Sequence, residues 1–253
     1  MVFYWQITLP SNFKIDNLQG GEIHNIGHGG NGYYASEDVN SLEAFKAAID
    51  SDINGSEMDI QMTKDSVFVV FHNAFISQSE DCQKLIFELT LEQLKACADK
   101  PIAVLEDVLN LNWKNGAVLS FDLKYPPKDP DLQNTLCQKL RAVQNAHPNL
   151  EILVESNVME VLTNLKTWDV SNVFYYCTQP NTDIETSAKH KFDGISIRNE
   201  LITSEQAKAA HVLGLRVMIW GTRYPSHHRE AVLKSPDIVQ TDNPQLLQRL
   251  LLW

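Results

Sequence analysis

The stretch Gly55-Ser56-Glu57-Met58-Asp59-Ile60-Gln61 is followed, one turn later, by Val67-Phe68-Val69-Val70-Phe71-His72-Asn73. Side chains alternate between faces along a strand, so Glu57 and Asp59 share one face while Met58 and Ile60 take the other. Two like charges held side by side cost energy unless a proton or a cation resolves them. A divalent cation does so readily, and carboxylate oxygens suit calcium or magnesium. Thr63-Lys64-Asp65-Ser66 reads as a turn, which makes residues 57–61 and 67–71 hairpin neighbours. The second run delivers His72 at its C-terminal end, a candidate acid or base beside a candidate metal.

Working outward, further strands are expected at Ile23 to Gly27, Ala117 to Leu123, Glu151 to Val154, Val173 to Cys177, Asp193 to Ile197, Arg216 to Trp220 and Ile238 to Thr241. Helical stripes separate them. Leu42, Phe45 and Ile49 recur behind a cap at Asn40-Ser41, and Val158, Val161, Leu162 and Leu165 keep the i, i+3, i+4, i+7 spacing. A helix beginning at Asp131 carries Leu132, Leu136, Leu140 and Val143, and others are expected at 91–98, 105–111, 182–188 and 226–234. Thr203 or Ser204 caps a helix that stops at Gly214, and Asn243-Pro244 starts the last one. Strand–helix alternation argues for a parallel sheet, and eight such units argue for a closed (β/α)8 TIM barrel. Residues 74–101 read as a small insertion after the second strand, and residues 1–22 as an irregular wrap over one end. No linker-like segment divides the chain, so residues 1–253 are expected to form a single domain.

A net charge of −11 argues against general binding to nucleic acid or anionic membranes. Any attraction for an anionic substrate must then be local. Cys82, Cys97, Cys137 and Cys177 are widely spaced and form no CxxC pair, so they are expected to be free thiols in a reducing compartment. The N-terminal residues show no signal-peptide pattern, and no run approaches the roughly 18 apolar residues of a membrane span. The expectation is a cytoplasmic protein without stable membrane insertion; the sequence is silent on oligomeric state.

In barrels of this kind the working side chains lie at the C-terminal strand ends. Reading those ends in order gives His28, Glu57 and Asp59, His72, Asp122 and Lys124, Glu155, Arg198, then Trp220 and Arg223. Polar groups spread at random would fall on both ends equally. Each residue also has a bland reading. Asp122 and Lys124 could be an interior ion pair, and Glu155 could be a charge at a helix N-terminus. Trp220 reads as a packing residue that also walls the pocket. His24, His147, His190 and His211 read as structural or surface groups, and His227-His228 as solvated.

The chain resembles the glycerophosphodiester phosphodiesterase family of the phospholipase-C-like TIM-barrel superfamily. That family's signature is His-Arg, then Glu-x-Asp, then His-Asp; the same places here hold His28-Gly29, Glu57-Met58-Asp59 and His72-Asn73. The likeness runs through Asn40-Ser41-Leu42-Glu43-Ala44-Phe45 and Met62-Thr63-Lys64-Asp65. It returns at Phe121-Asp122-Leu123-Lys124, at Leu215 to Trp220 and at Thr241-Asp242-Asn243-Pro244, so it covers roughly residues 23–250. The resemblance implies that Glu57, Asp59 and Asp122 hold one divalent cation, Ca2+ or Mg2+, and that His28 and His72 are the acid/base pair. It also implies that Lys124 contacts the phosphate of a small-molecule phosphodiester. In the family-like route a neighbouring hydroxyl of the substrate attacks first, and water then opens a cyclic phosphate.

Three positions depart from the pattern. Gly29 stands in place of arginine, Val39 in place of glutamate, and Asn73 in place of aspartate. A bidentate arginine fits two phosphate oxygens, so its loss calls for a substitute. Arg223 and Arg198 are the candidates, with Glu155 and Trp220 as further pocket residues. Otherwise Gly29 marks a changed substrate, with Gly29-Gly30-Asn31-Gly32-Tyr33-Tyr34 lining the space. Two other functions fit the same residues: a lytic transferase that stops at the cyclic phosphate, as in the similar spider-toxin phospholipases, and a non-catalytic barrel that binds a phosphate ester or metal.

Overall fold

The computed structural model describes residues 9–76 and 82–252. Among the described residues ten strands form one sheet: β1 (His24–Gly27), β2 (Gly55–Met62), β3 (Phe68–Val70), β4 (Ala103–Val104), β5 (Val118–Leu123), β6 (Glu151–Ser156), β7 (Val173–Cys177), β8 (Gly194–Arg198), β9 (Arg216–Thr222) and β10 (Ile238–Thr241). Eight of them pair in parallel in the order β1-β2-β5-β6-β7-β8-β9-β10, and β10 pairs back onto β1. The expected (β/α)8 TIM barrel is therefore closed. β3 and β4 lie outside it: β3 pairs antiparallel with β2 and β4 antiparallel with β3, and the expected hairpin is present through the turn after Met62.

Nine helices accompany the strands: α1 (Leu42–Asp50), α2 (Leu91–Cys97), α3 (Leu105–Leu109), α4 (Pro130–Ala146), α5 (Met159–Thr167), α6 (Pro180–Lys189), α7 (Ser204–Val212), α8 (Pro225–Leu233) and α9 (Pro244–Leu251), counted among the described residues. Local chemistry sets their starts. Ser41, Thr90, Asp129, Thr203 and Asn243 each accept a backbone N–H of the first turn. Proline at the first position opens α4, α6, α8 and α9. This is why α4 begins before the expected Asp131 and α6 before Thr182.

Strand periodicity sorts the core into an inside and an outside. Ile26, Val118, Leu153, Phe174, Met218 and Ile238 form one buried apolar layer within the barrel. Gly194 supplies the room for the Phe174 ring, which a Cβ there would strike. Side chains of opposite phase, such as Met58, Ile60, Leu119 and Phe121, pack outward against the helices. Two residues beyond the inner apolar layer, the same strands present His28, Ser120, Glu155, Tyr176, Trp220 and Gln240. The interior thus changes from apolar to polar toward the C-terminal ends, which makes that end the candidate site.

Residues 9–22 wrap the opposite end, as expected. Asn17 donates to the Pro236 carbonyl at 2.8 Å, and Leu18 N–H donates to Asp237 at 2.8 Å. Readings that fall on residues 1–8, and on 77–81 of the insertion, lie outside the described residues. The cysteine reading needs correction. Cys82 and Cys97 form a disulfide within the insertion, closing its segment before α2 onto the end of α2, while Cys137 and Cys177 are free and buried. The adjacent histidines are also corrected: they sit in α8, and His228 is fully buried with Nε2 2.7 Å from Thr241 Oγ1. No helix among the described residues is long and apolar enough to cross a membrane.

Candidate active site

Parallel register brings the carboxylates together. Asp59 pairs with Asp122 across β2 and β5, and Asp122 pairs with Glu155 across β5 and β6. Glu57 lies two residues below Asp59 on the same face. Oxygens of Glu57, Asp59 and Asp122 lie within 4.8 Å of one another. An all-oxygen donor set of this kind fits a hard divalent cation.

Each carboxylate is held in place. Glu57 is 1% exposed and accepts the Gly29 N–H at 3.0 Å. Asn40 clamps Asp59 from both sides, donating its amide to Oδ2 at 2.6 Å and accepting the Asp59 N–H at 3.2 Å. It does so from a left-handed backbone (φ 63°), one residue before the true α1 cap at Ser41. Lys124 bonds Asp122 and lies 3.2 Å from Asp59 Oδ1. Glu155 is 2% exposed and accepts from Ser120 Oγ at 2.9 Å.

The crowding shows in the acidities. Burial, then the charges of Asp59, Asp122 and Glu155, pushes Glu57 well above the ordinary carboxylate value. Burial also raises Asp122, against the pull of Lys124. Burial and then Asp122 push Glu155 up to about 7. Burial works to lower Lys124, but the carboxylates of Asp122 and Asp59 prevail and raise it. These are the marks of a cluster short of positive charge.

His28 follows β1 directly. Its Nδ1 is 2.8 Å from Asp242 Oδ1, and its Nε2 faces Glu57 Oε2 at 3.9 Å. Tyr33 packs edge-on against the imidazole with centroids 4.8 Å apart. His72 is exposed, with Nδ1 2.9 Å from Asn73 Oδ1, and its charge is felt at Asp122. Gln61, on the same face as Glu57 and Asp59, pins the segment around His72 by donating to the carbonyls of Phe71 (2.7 Å) and Asn73 (2.9 Å).

The candidate arginines are engaged elsewhere. Arg223 Nε and Nη2 both reach Asp242 Oδ2, at 2.9 and 2.8 Å. Arg198 pairs with Glu200 at 3.1 Å and lies over the Trp220 ring. Position 29 has no room for a side chain: its φ is +57°, and a Cβ there would sit 2.8 Å from Val39 Cβ. Gly29 and Val39 therefore face each other in one contact. Asn40, Gln61 and Asp242 have roles that the sequence reading did not assign. Asn40 and Asp242 stand inside motifs it quoted, and Gln61 continues the Glu57-Asp59 alternation.

The profile of the glycerophosphoryl diester phosphodiesterase family matches residues 28–246. The chain belongs to that family. A Galdieria sulphuraria structure assigned as a glycerophosphodiester phosphodiesterase superposes with a TM-score of 0.77 at 22% identity, covering 92% of this chain and 98% of that one. An Oleispira antarctica phosphodiesterase, solved in complex with the product sn-glycerol-3-phosphate, superposes with a TM-score of 0.74 at 19% identity, covering 90% and 97%. At these identities the likeness is one of fold. A glycerophosphodiester phosphodiesterase from Bacillus altitudinis is 27% identical over 104 residues, 37% of this chain and 42% of that protein. The stretches aligned with the curated relatives span only 23% to 42% of their lengths.

Proposed function

We propose that this family member is a single-domain, metal-dependent phosphodiesterase. It cleaves a glycerophosphodiester, or a close relative, into an alcohol and a phosphomonoester. The observation that carries this reading is the convergence of Glu57, Asp59 and Asp122 beside a histidine held by a carboxylate. A cation bound by those three groups, Ca2+ or Mg2+, would neutralise the charge that grows on the non-bridging oxygens as phosphorus is attacked. Lys124 adds an ammonium to the same task.

His28 is assigned as the base. Asp242 holds the proton on Nδ1, which leaves Nε2 free to take one from the attacking hydroxyl, and the same carboxylate steadies the imidazolium that results. His72 protonates the leaving alkoxide from its place at the mouth. In the two-step route the glycerol hydroxyl attacks first, the cyclic phosphate is opened by water, and the histidines exchange roles. Arg223 is assigned to holding Asp242 rather than gripping phosphate, because both of its contacting nitrogens are on that carboxylate. The Cys82–Cys97 disulfide fits an oxidising compartment better than the reducing cytoplasm expected from free thiols.

The test is turnover of glycerophosphodiesters with calcium, magnesium or chelator, followed by phosphorus NMR. Activity should vanish with chelator and return with metal, and Asp122→Asn should lower it by roughly 100-fold or more. A cyclic product that persists would favour the lytic transferase. No metal-dependent turnover of any phosphodiester would sink the enzyme reading.

A further inference from the structure

The mouth of the barrel has two chemically different halves. β1, β2 and β5 carry the histidine and the three carboxylates. Facing them, β7, β8 and β9 carry Tyr176, Arg198 and Trp220 on the inward phase at their C-terminal ends. The proposed bond cleavage uses none of these three.

They form one packed group. The Tyr176 and Trp220 ring centroids are 5.4 Å apart with 33° between planes. The Arg198 guanidinium carbon stands 5.7 Å over the Trp220 ring, and its Nε pairs with Glu200 Oε2 at 3.1 Å. The Arg198 stem crosses Gly221, where a Cβ would come within 3.2 Å of Arg198 Cγ. Trp220 Nε1 is buried and has no acceptor. A buried donor without a partner costs free energy, which an acceptor on a ligand would relieve. The Tyr176 hydroxyl is raised by burial and then by the Asp122 carboxylate, so the group borders the reaction centre.

We propose that Tyr176, Arg198 and Trp220, with Glu200, form the subsite for the alcohol part of the substrate, and that it selects a neutral polyhydroxylated head group. This rests on the phosphodiesterase reading above. Trp220 Nε1, the guanidinium and the Tyr176 hydroxyl offer donors, and Glu200 offers an acceptor for adjacent hydroxyls. The Arg198–Glu200 pair disfavours net charge of either sign. A quaternary ammonium would seek the indole face that the guanidinium already covers, and would be repelled there. A carboxylated head group would meet Glu200.

The test compares kcat/KM for glycerophosphoinositol, glycerophosphocholine and glycerophosphoserine, using metal-loaded wild type, Arg198→Met and Trp220→Phe. Ratios are taken within one preparation, so they do not depend on how much of a variant folds. Wild type should favour the inositol ester over the other two by roughly tenfold or more. Arg198→Met should bring the choline ester to within about threefold of the inositol ester, chiefly through KM. Trp220→Phe keeps a ring but loses the donor, and should weaken the inositol ester selectively. Equal or better turnover of the choline ester by wild type, or a uniform effect of Arg198→Met on all three, would overturn the inference alone. Absence of turnover throughout would overturn the phosphodiesterase reading and the inference with it.

Discussion

Asp242 shows how one side chain organises this mouth. Burial alone would raise its carboxyl, but the hydrogen bonds from His28 and Arg223 hold it below the ordinary value. It is therefore ionised at neutral pH and fixes the proton of His28 on Nδ1. Asp242→Asn keeps the shape and removes the charge, so kcat should fall by roughly 100-fold or more with KM little changed. A steady-state comparison showing a change in KM alone would remove Asp242 from the chemistry. Gly29 and Val39 make a second test. Gly29→Ala should cost about 1–3 kcal/mol, from the left-handed backbone and the clash with Val39. Adding Val39→Ala should recover the clash but not the backbone cost, a coupling that denaturant melts of the four combinations would measure. The convergence of Glu57, Asp59 and Asp122 was legible because strand alternation and parallel pairing leave little freedom. The Gly29–Val39 contact was not, because it depends on the path of an irregular loop.

Among the elements, caps and apolar stripes made the helices readable, whereas Pro130 and Pro180 set two starts earlier than those stripes suggested; the turn after Met62 made the hairpin readable. The cysteines misled because their wide spacing carries no pairing signal; the bridge depends on how the insertion folds back from β3 onto α2. Ile86, Leu89 and Leu94 of that insertion form a small core with Val69 of β3, apart from the large clusters around the barrel. The disulfide closes a sequence separation of 15, for which chain entropy suggests about 3 kcal/mol. Cys82→Ser with Cys97→Ser should therefore loosen α2 locally. Amide exchange over Leu91–Cys97 should quicken by roughly 100-fold while the barrel strands keep their protection. Unchanged exchange in α2 would show that the staple adds nothing.

At the scale of the whole molecule, the barrel carries an acidic layer directly above an apolar one, and this makes its stability depend on pH. Glu155 rises from an ordinary 4.5 to about 7 in the fold, by burial and then by Asp122. Between those values this carboxyl holds a proton in the folded chain that it lacks in the unfolded one, so its contribution to stability is fully present below about 4.5 and is lost as pH rises through 7. The loss is on the order of 3 kcal/mol at most. In chelator, denaturant unfolding should show wild type losing stability relative to Glu155→Gln, which can still accept from Ser120, as pH rises from 5 to 8. A slope shared by both proteins would place the titration elsewhere. The barrel itself was legible from eight strand-like runs, whereas the inner layering emerges only when the runs are set in register. Lys124 gives this arrangement a final consequence. Its ammonium bridges Asp59 and Asp122, so the acidic nest carries a tethered counterion of its own. On the proposed reading, withdrawing the cation should leave this nest folded around Lys124 as a placeholder, ready to take the ion back.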